Sequence, residues 1–162
     1  MSDKINPADF GMHGVAPHLV CKGAAKAIDF YIEAFGAVEL MRLPGPDGKL
    51  MHGSVKINNC MVMLADEFGD IDARHRNTAP PTLGGTSVVI HLQVDNVDAW
   101  TARAVAAGAK VIMPVADMFW GDRYGVIEDP FGHRWSIATP KGAPVMGNEL
   151  VAAMNNAMEK AR

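Results

Sequence analysis

The chain has 162 residues, 49% of them apolar and 20% charged, enough for one domain with a substantial buried core. Its net charge is −3 and its basic residues are scattered, which leaves no electrostatic case for nucleic acid. No stretch approaches the roughly 20 apolar residues that span a bilayer, so no membrane partner is expected. The N-terminal MSDKINPADFGMHG lacks the apolar core of a secretory signal. Cys21 and Cys60 both fall in apolar strand-like runs and read as buried thiols in a reducing compartment, with the cytoplasm as the expected location.

In chain order, residues 1–13 read as an N-terminal arm. HLVCKGAAKAIDFYIEAFGAVELM, starting at His18, reads as a short strand, a helix and a second strand. Ala24, Ala27, Ile28, Tyr31 and Phe35 recur at three- and four-residue spacing, and Gly36 ends the helix. Strands are expected over 37–42, 50–57 and 60–65, separated by the turn signals PGPDG and Asn58-Asn59. The polar, Pro- and Gly-rich segment 66–86 reads as a connector.

The pattern then repeats. HLQVDNVDAWTARAVAAGAKVIM starts at His91 within an apolar strand over 88–94. Asp95 and Asn96 suit a helix N-cap, Val97, Trp100, Ala104 and Ala107 form the stripe, and Gly108 follows as the stop. Strands are expected over 110–113, 123–128 and 134–138, the last two joined by Asp129-Pro130-Phe131-Gly132. Asp129, before proline, most simply accepts backbone N–H groups in that turn. The tail, 140–162, carries a helix pattern after Asn148 with a stripe of Leu150, Val151, Met154, Ala157 and Met158. That stripe must be buried against its own barrel or against a partner subunit.

AIDFYIEAFGAVEL in the first half and EDPFGHRW in the second resemble the vicinal oxygen chelate superfamily, which includes glyoxalase I, extradiol dioxygenases, fosfomycin-resistance enzymes and bleomycin-resistance proteins. The resemblance covers residues 14–139, with modules 14–65 and 87–139. FYxxAFGAxEL, LPGPDGK, MLADE and FWGDRYGxxEDPFGHRW look closest to its PhnB-like branch. The resemblance implies an α+β fold in which paired βαβββ modules form a curved, mixed-sheet, barrel-like cleft, with the C-terminal helix added. Helices cover one face of each sheet and the other lines a ligand cavity. By alternation, Val88, Ile90, Leu92 and Val94 face the helix, while Val89, His91 and Gln93 face the cavity. Ala16, His18 and Val20 take the cavity face in the first half.

Metal-dependent members of the superfamily draw ligands from the first and last strand of each module. Those positions fall here on Ala16, Met63, Val89 and Ser136, none an ordinary ligand. No metal and no cofactor is therefore expected. His18 and His91 lie two residues along, at equivalent points of the repeat, and could meet near the pseudo-twofold axis. They could bond a backbone group or a tyrosine, contact a ligand, or form a displaced metal site. His52 could face the cavity or solvent. Trp120 and Arg123 sit where bleomycin-binding members carry a Trp-Gly pair and a nearby arginine, which suits a flat or anionic ligand. The alternative has Trp120 covering the barrel mouth and Arg123 paired with Asp122. Met61, Met63, Met113 and Met118 add soft apolar surface.

The expected function is binding of a planar or amphipathic small molecule by a metal-free homodimer. The expected contacts are His18, Met63, His91, Trp120, Arg123 and Ser136, with Ala16 and Val89 completing the wall. The alternative is an enzyme: a lyase or isomerase with His18 or His91 as general base, or a metalloenzyme with displaced ligands. A third possibility is a scaffold whose cavity is filled by its own side chains.

Overall fold

The structure, a computed structural model, describes residues 6–69 and 77–160. A 3₁₀ turn over Pro7–Phe10 leads to β1 (His18–Cys21), α1 (Ala24–Phe35), β2 (Val38–Pro44), β3 (Leu50–Ile57) and β4 (Cys60–Asp66). One helical turn, α2 (Pro80–Leu83), precedes β5 (Val89–Gln93), α3 (Val97–Ala106), β6 (Lys110–Asp117), β7 (Asp122–Glu128) and β8 (Arg134–Pro140). The chain then enters α4 (Gly147–Lys160). The strands form two four-stranded mixed sheets of identical topology, β1-β4-β3-β2 and β5-β8-β7-β6. The outer strand pairs are antiparallel, and β1 and β5 join their sheets in parallel beside β4 and β8.

Local chemistry explains the elements. Gly36 takes a left-handed conformation (φ 62°) and its N–H closes the end of α1 on Ile32 O. Asn96 caps α3 through Ala99 N, and its neighbour Asp95 accepts the Trp100 indole N–H instead. Asn58 and Asn59 both have positive φ (43° and 66°), as a tight two-residue hairpin requires. The start of α1 has no local cap. Asp66, at the end of β4, supplies it by accepting Gly23 N and Ala24 N at 2.7 and 2.9 Å, while its other oxygen accepts Leu50 N. Asp66 thus belongs to the folded sheet rather than to the connector.

Strands β2 and β6 run further than the alternation suggests, to Pro44 and Asp117. Each carries two register irregularities, between Glu39/Met41 and Leu43/Pro44 and between Val111/Met113 and Met113/Ala116. A bulge shifts the inward and outward parity, which erases the two-residue period a sequence pattern depends on.

Both helices lie over one face of the sheets, and a single core joins the modules. Tyr31 and Phe35 of α1 pack against Trp135 of β8, and Phe35 stacks on Trp100 of α3. Aromatic pairs of this kind add about 0.5–1.5 kcal/mol each beyond their buried area. At the centre is the buried Asp129 carboxylate. One oxygen accepts the Tyr31 hydroxyl at 2.6 Å and the Trp135 indole N–H at 3.0 Å; the other accepts Phe131 N and His133 N, both at 2.9 Å. The expected turn role of Asp129 is present, and a second, tertiary one is added.

Two expectations are corrected and one open choice is narrowed. Cys60 is exposed because it opens β4 beside the hairpin, whereas Cys21 is buried in the helix-side core. Burial and the neighbouring carboxylates of Asp129 and Asp66 push the Cys21 thiol up, so it stays protonated. Val88 is 62% exposed, because β5 begins only at Val89; Leu92 and Val94 do enter the core and Ile90 packs against it. Finally, α4 buries none of its residues, and Val151, Met154 and Met158 are exposed, so its own barrel does not cover the stripe.

Replacing Asp129 by alanine strands a buried hydroxyl, an indole N–H and two backbone amides at once. The expected loss is at least about 3 kcal/mol of unfolding free energy, at about 1–3 kcal/mol per unsatisfied buried group. Urea denaturation of Asp129→Ala checks this, and a loss under 1 kcal/mol would contradict the central role given to that carboxylate.

Candidate functional site

Alternation divides each sheet into a helix face and an open face. In the second sheet, Ile127, Trp135 and Ile137 point to the core. Their sequence neighbours point the other way. The register sets His91 beside Ser136, Ser136 beside Val126, and Ala138 beside Tyr124. His91 Nδ1 lies 2.9 Å from the Ser136 hydroxyl, which is itself buried. The Tyr124 ring stacks near His91 (centroids 6.4 Å, interplanar angle 17°). Trp120 meets Tyr124 edge to face at 5.5 Å, and Phe119 abuts Trp120 at 5.0 Å. The Trp120 N–H donates to Asp122. The result is a continuous platform of indole, phenol, imidazole and hydroxyl. It offers flat apolar faces and a few polar atoms, the composition of a small-molecule site.

Tyr124 is a platform residue that the sequence reading missed. The signal for it was the parity of β7: with Ile127 turned inward, Tyr124 must face the side of His91.

The corresponding face of the first sheet carries His18, Met63 and Ser54 in cross-strand register. His52 lies here too, which settles the choice the sequence left open. Its ring stands 5.5 Å from that of His18, edge to face. Burial, and secondarily the charge of His52, lower the His18 pKa from the ordinary histidine value.

His18 and His91 do not share a cavity among the described residues. His91 lines a hollow of about 350 Å³ with Gln93, Met61 and Trp135. His18 lines a separate one of about 340 Å³ with Val88, Thr86 and Leu83. Pro17 and Ile90 wall both. Two larger hollows, of about 580 and 540 Å³, lie at the start of α1 and beside the Asp129 turn, away from the platform.

Arg123 departs from expectation. It alternates with Tyr124, so its side chain turns towards α3. There it binds Asp98 through two N–H donors, at 2.6 and 2.7 Å, and reaches Asp117 at 3.1 Å. Asp122, the partner weighed from sequence, bonds Trp120 instead. The guanidinium holds the Asp98 carboxyl below the usual carboxylate range, and Lys141 followed by Arg123 does the same for Asp117. Trp120 and Arg123 therefore lie on opposite faces.

The residues at the superfamily's metal positions do not fit the divalent ion its metalloenzymes hold. Ala16 and Val89 carry no donor, Met63 offers only a thioether, and the Ser136 hydroxyl is engaged by His91. Among the described residues no three His, Cys, Asp or Glu side chains are grouped to hold a metal. No helix among them is long and apolar enough to cross a membrane.

Two repeated βαβββ modules with helices on one face and an open face on the other define a class of protein before any comparison. The comparison with protein families agrees. Residues 11–137 match the model of the Glyoxalase/Bleomycin resistance protein/Dioxygenase superfamily, and the chain belongs to that superfamily. It is 51% identical over 142 residues to the uncharacterized protein Mb0911c of Mycobacterium bovis, covering 88% of this chain and 92% of that one. Among solved structures it is similar to TioX from Micromonospora sp. ML1 (TM-score 0.61, 24% identity, 78% of this chain and 97% of that one). It is also similar to a glyoxalase-related enzyme from Fulvimarina pelagi (TM-score 0.63, 20% identity, 82% and 96%). At these identities the two structures attest the fold.

The His18 titration gives a direct check of the first-sheet geometry. Its NMR midpoint should fall below the ordinary value of about 6.5, and His52→Ala should raise it by removing the neighbouring charge. A midpoint unmoved by His52→Ala would separate the two rings.

Proposed function

We propose that this chain is a small-molecule-binding protein of the PhnB-like branch, acting without a metal of the superfamily type on a planar or amphipathic ligand. One observation carries the reading: Trp120, Tyr124, His91 and Ser136 line one open sheet face, with aromatic planes beside a hydrogen-bonding pair. A flat ligand would stack on the rings and exchange hydrogen bonds with His91. Met63 and His18, on the matching face of the first sheet, would form a second wall. Arg123 is left out of the contact set because its charge is neutralised on the opposite face.

A homodimer in the cytoplasm is part of this reading. It is supported by the apolar surface the chain leaves uncovered: Met41 and Leu43 on the outer strand β2, and Val151, Met154 and Met158 on α4. A second copy would cover such surface and turn two open faces into an enclosed cleft.

A second reading has one specific observation in its favour. His91 engages Ser136 through Nδ1, which leaves Nε2 directed elsewhere, as a general base of a lyase or isomerase needs. Turnover of a bound ligand, followed by mass spectrometry and abolished in His91→Ala, would select the enzyme over the carrier.

Fluorescence quenching against a panel of planar aromatic and amphipathic compounds tests the binding site. A true ligand should quench the parent, and Trp120→Phe and His91→Ala should each weaken it at least tenfold, whereas Arg123→Ala leaves affinity unchanged. If Trp120→Phe binds every confirmed ligand as well as the parent does, the platform is not the site.

A further inference from the structure

The face of the first sheet holds an arrangement that the Trp120–His91 platform does not explain. His18 on β1 and His52 on β3 are separated by β4, yet their ring centres are only 5.5 Å apart. Met63 on β4 is opposite both His18 and Ser54, so His52, two residues before Ser54, lies diagonally across β4 from His18. Met63 is the register partner of His18 and carries its thioether on the same face.

Hydrogen bonding sets this pair apart. His13 bonds Asn59 O, His91 bonds Ser136 and His133 bonds Val20 O. Among the described residues, His18 and His52 have no hydrogen-bond partner, and each ring lies against the other. The neighbouring strand positions on this face supply Val20, Leu43, Ser54 and Ala65, with no carboxylate among them to hold an imidazolium. Two imidazoles side by side and a thioether, without oxygen anions, are a soft, neutral donor set.

We propose that His18, His52 and Met63 form a binding site for a cuprous ion. A metal about 2.0 Å from one nitrogen of each ring, at trigonal or tetrahedral angles, places the ring centres about 5 Å apart. The present spacing already matches, and rotation about the soft imidazole torsion brings a nitrogen of each ring to the common point. Thioether together with imidazole selects copper(I) over the harder divalent ions that carboxylates bind. The site lies within one module, on β1, β3 and β4. It shares only the Met63 position with the superfamily arrangement, which draws on both modules, and it lies apart from the Trp120–His91 platform.

The test is anaerobic competition for copper(I) against the coloured bicinchoninate complex, in a Cys60→Ser background that removes the exposed thiol. The parent should withdraw one copper(I) per chain. His18→Gln and His52→Gln, chosen to keep the surface polar and each checked for an unchanged thermal melt, should each abolish uptake. Met63→Leu should weaken it at least tenfold. In the parent, diamagnetic copper(I) should shift the Hε1 resonances of His18 and His52 together with the Met63 methyl. No uptake by the parent, or uptake that survives either histidine variant, overturns the site; unchanged affinity in Met63→Leu overturns the three-donor assignment. Ligand quenching of Trp120 is read in the parent without copper, so failure of the platform and failure of the copper site are distinguishable.

Discussion

The Asp129 carboxylate ties the two modules together. A buried carboxylate is costly unless its lone pairs are filled, and four donors fill these: two backbone amides of its own turn, the Trp135 indole and the Tyr31 hydroxyl. Three belong to the second module and the fourth comes from α1 in the first. The same carboxylate that shapes the β7–β8 turn therefore fixes where α1 sits, and with it the Phe35–Trp100–Trp135 cluster. The link is chemical as well as steric. Burial and Asp129 together raise the Tyr31 pKa, so the phenol keeps the proton it donates.

Given that anchor, the open faces follow from the period of the strand. Once Ile127, Trp135 and Ile137 are committed to the core, Tyr124 and Ser136 have no choice of side. The same rule sends Arg123 the other way, into the carboxylates of Asp98 and Asp117. Neighbours in sequence thus serve different ends: Arg123 fastens β7 to α3, while Tyr124 extends the platform. Trp120 and Arg123 looked like one recognition unit because they are close along the chain, and a single alternation separates them.

Much of the architecture was legible. The repeat, both helices, the Gly36 and Asn96 caps, the Asn58-Asn59 hairpin and the Asp129 turn rest on short-range rules that operate within a few residues. What was not legible involved partners distant in sequence. Asp66 caps a helix more than forty residues before it, which no local pattern reports. The bulges in β2 and β6 broke the alternation that would have shown their true length. Cys60 sits in an apolar run but opens its strand at the hairpin, where solvent reaches it. Tyr124 could have been found from the parity of β7, had the inward residues been used to assign the outward ones.

For the site, the sequence determined which residue types are present and which are missing: no ligands at the superfamily's metal positions, and histidines at matched points of the repeat. Those are properties of a list, fixed by composition and spacing. Which histidine faces which was a different matter. Sequence symmetry paired His18 with His91, but the fold sets them in separate hollows and places His18 beside His52 and His91 beside Ser136. Cross-strand register and strand order decide those pairings, and they exist only once the sheet has formed.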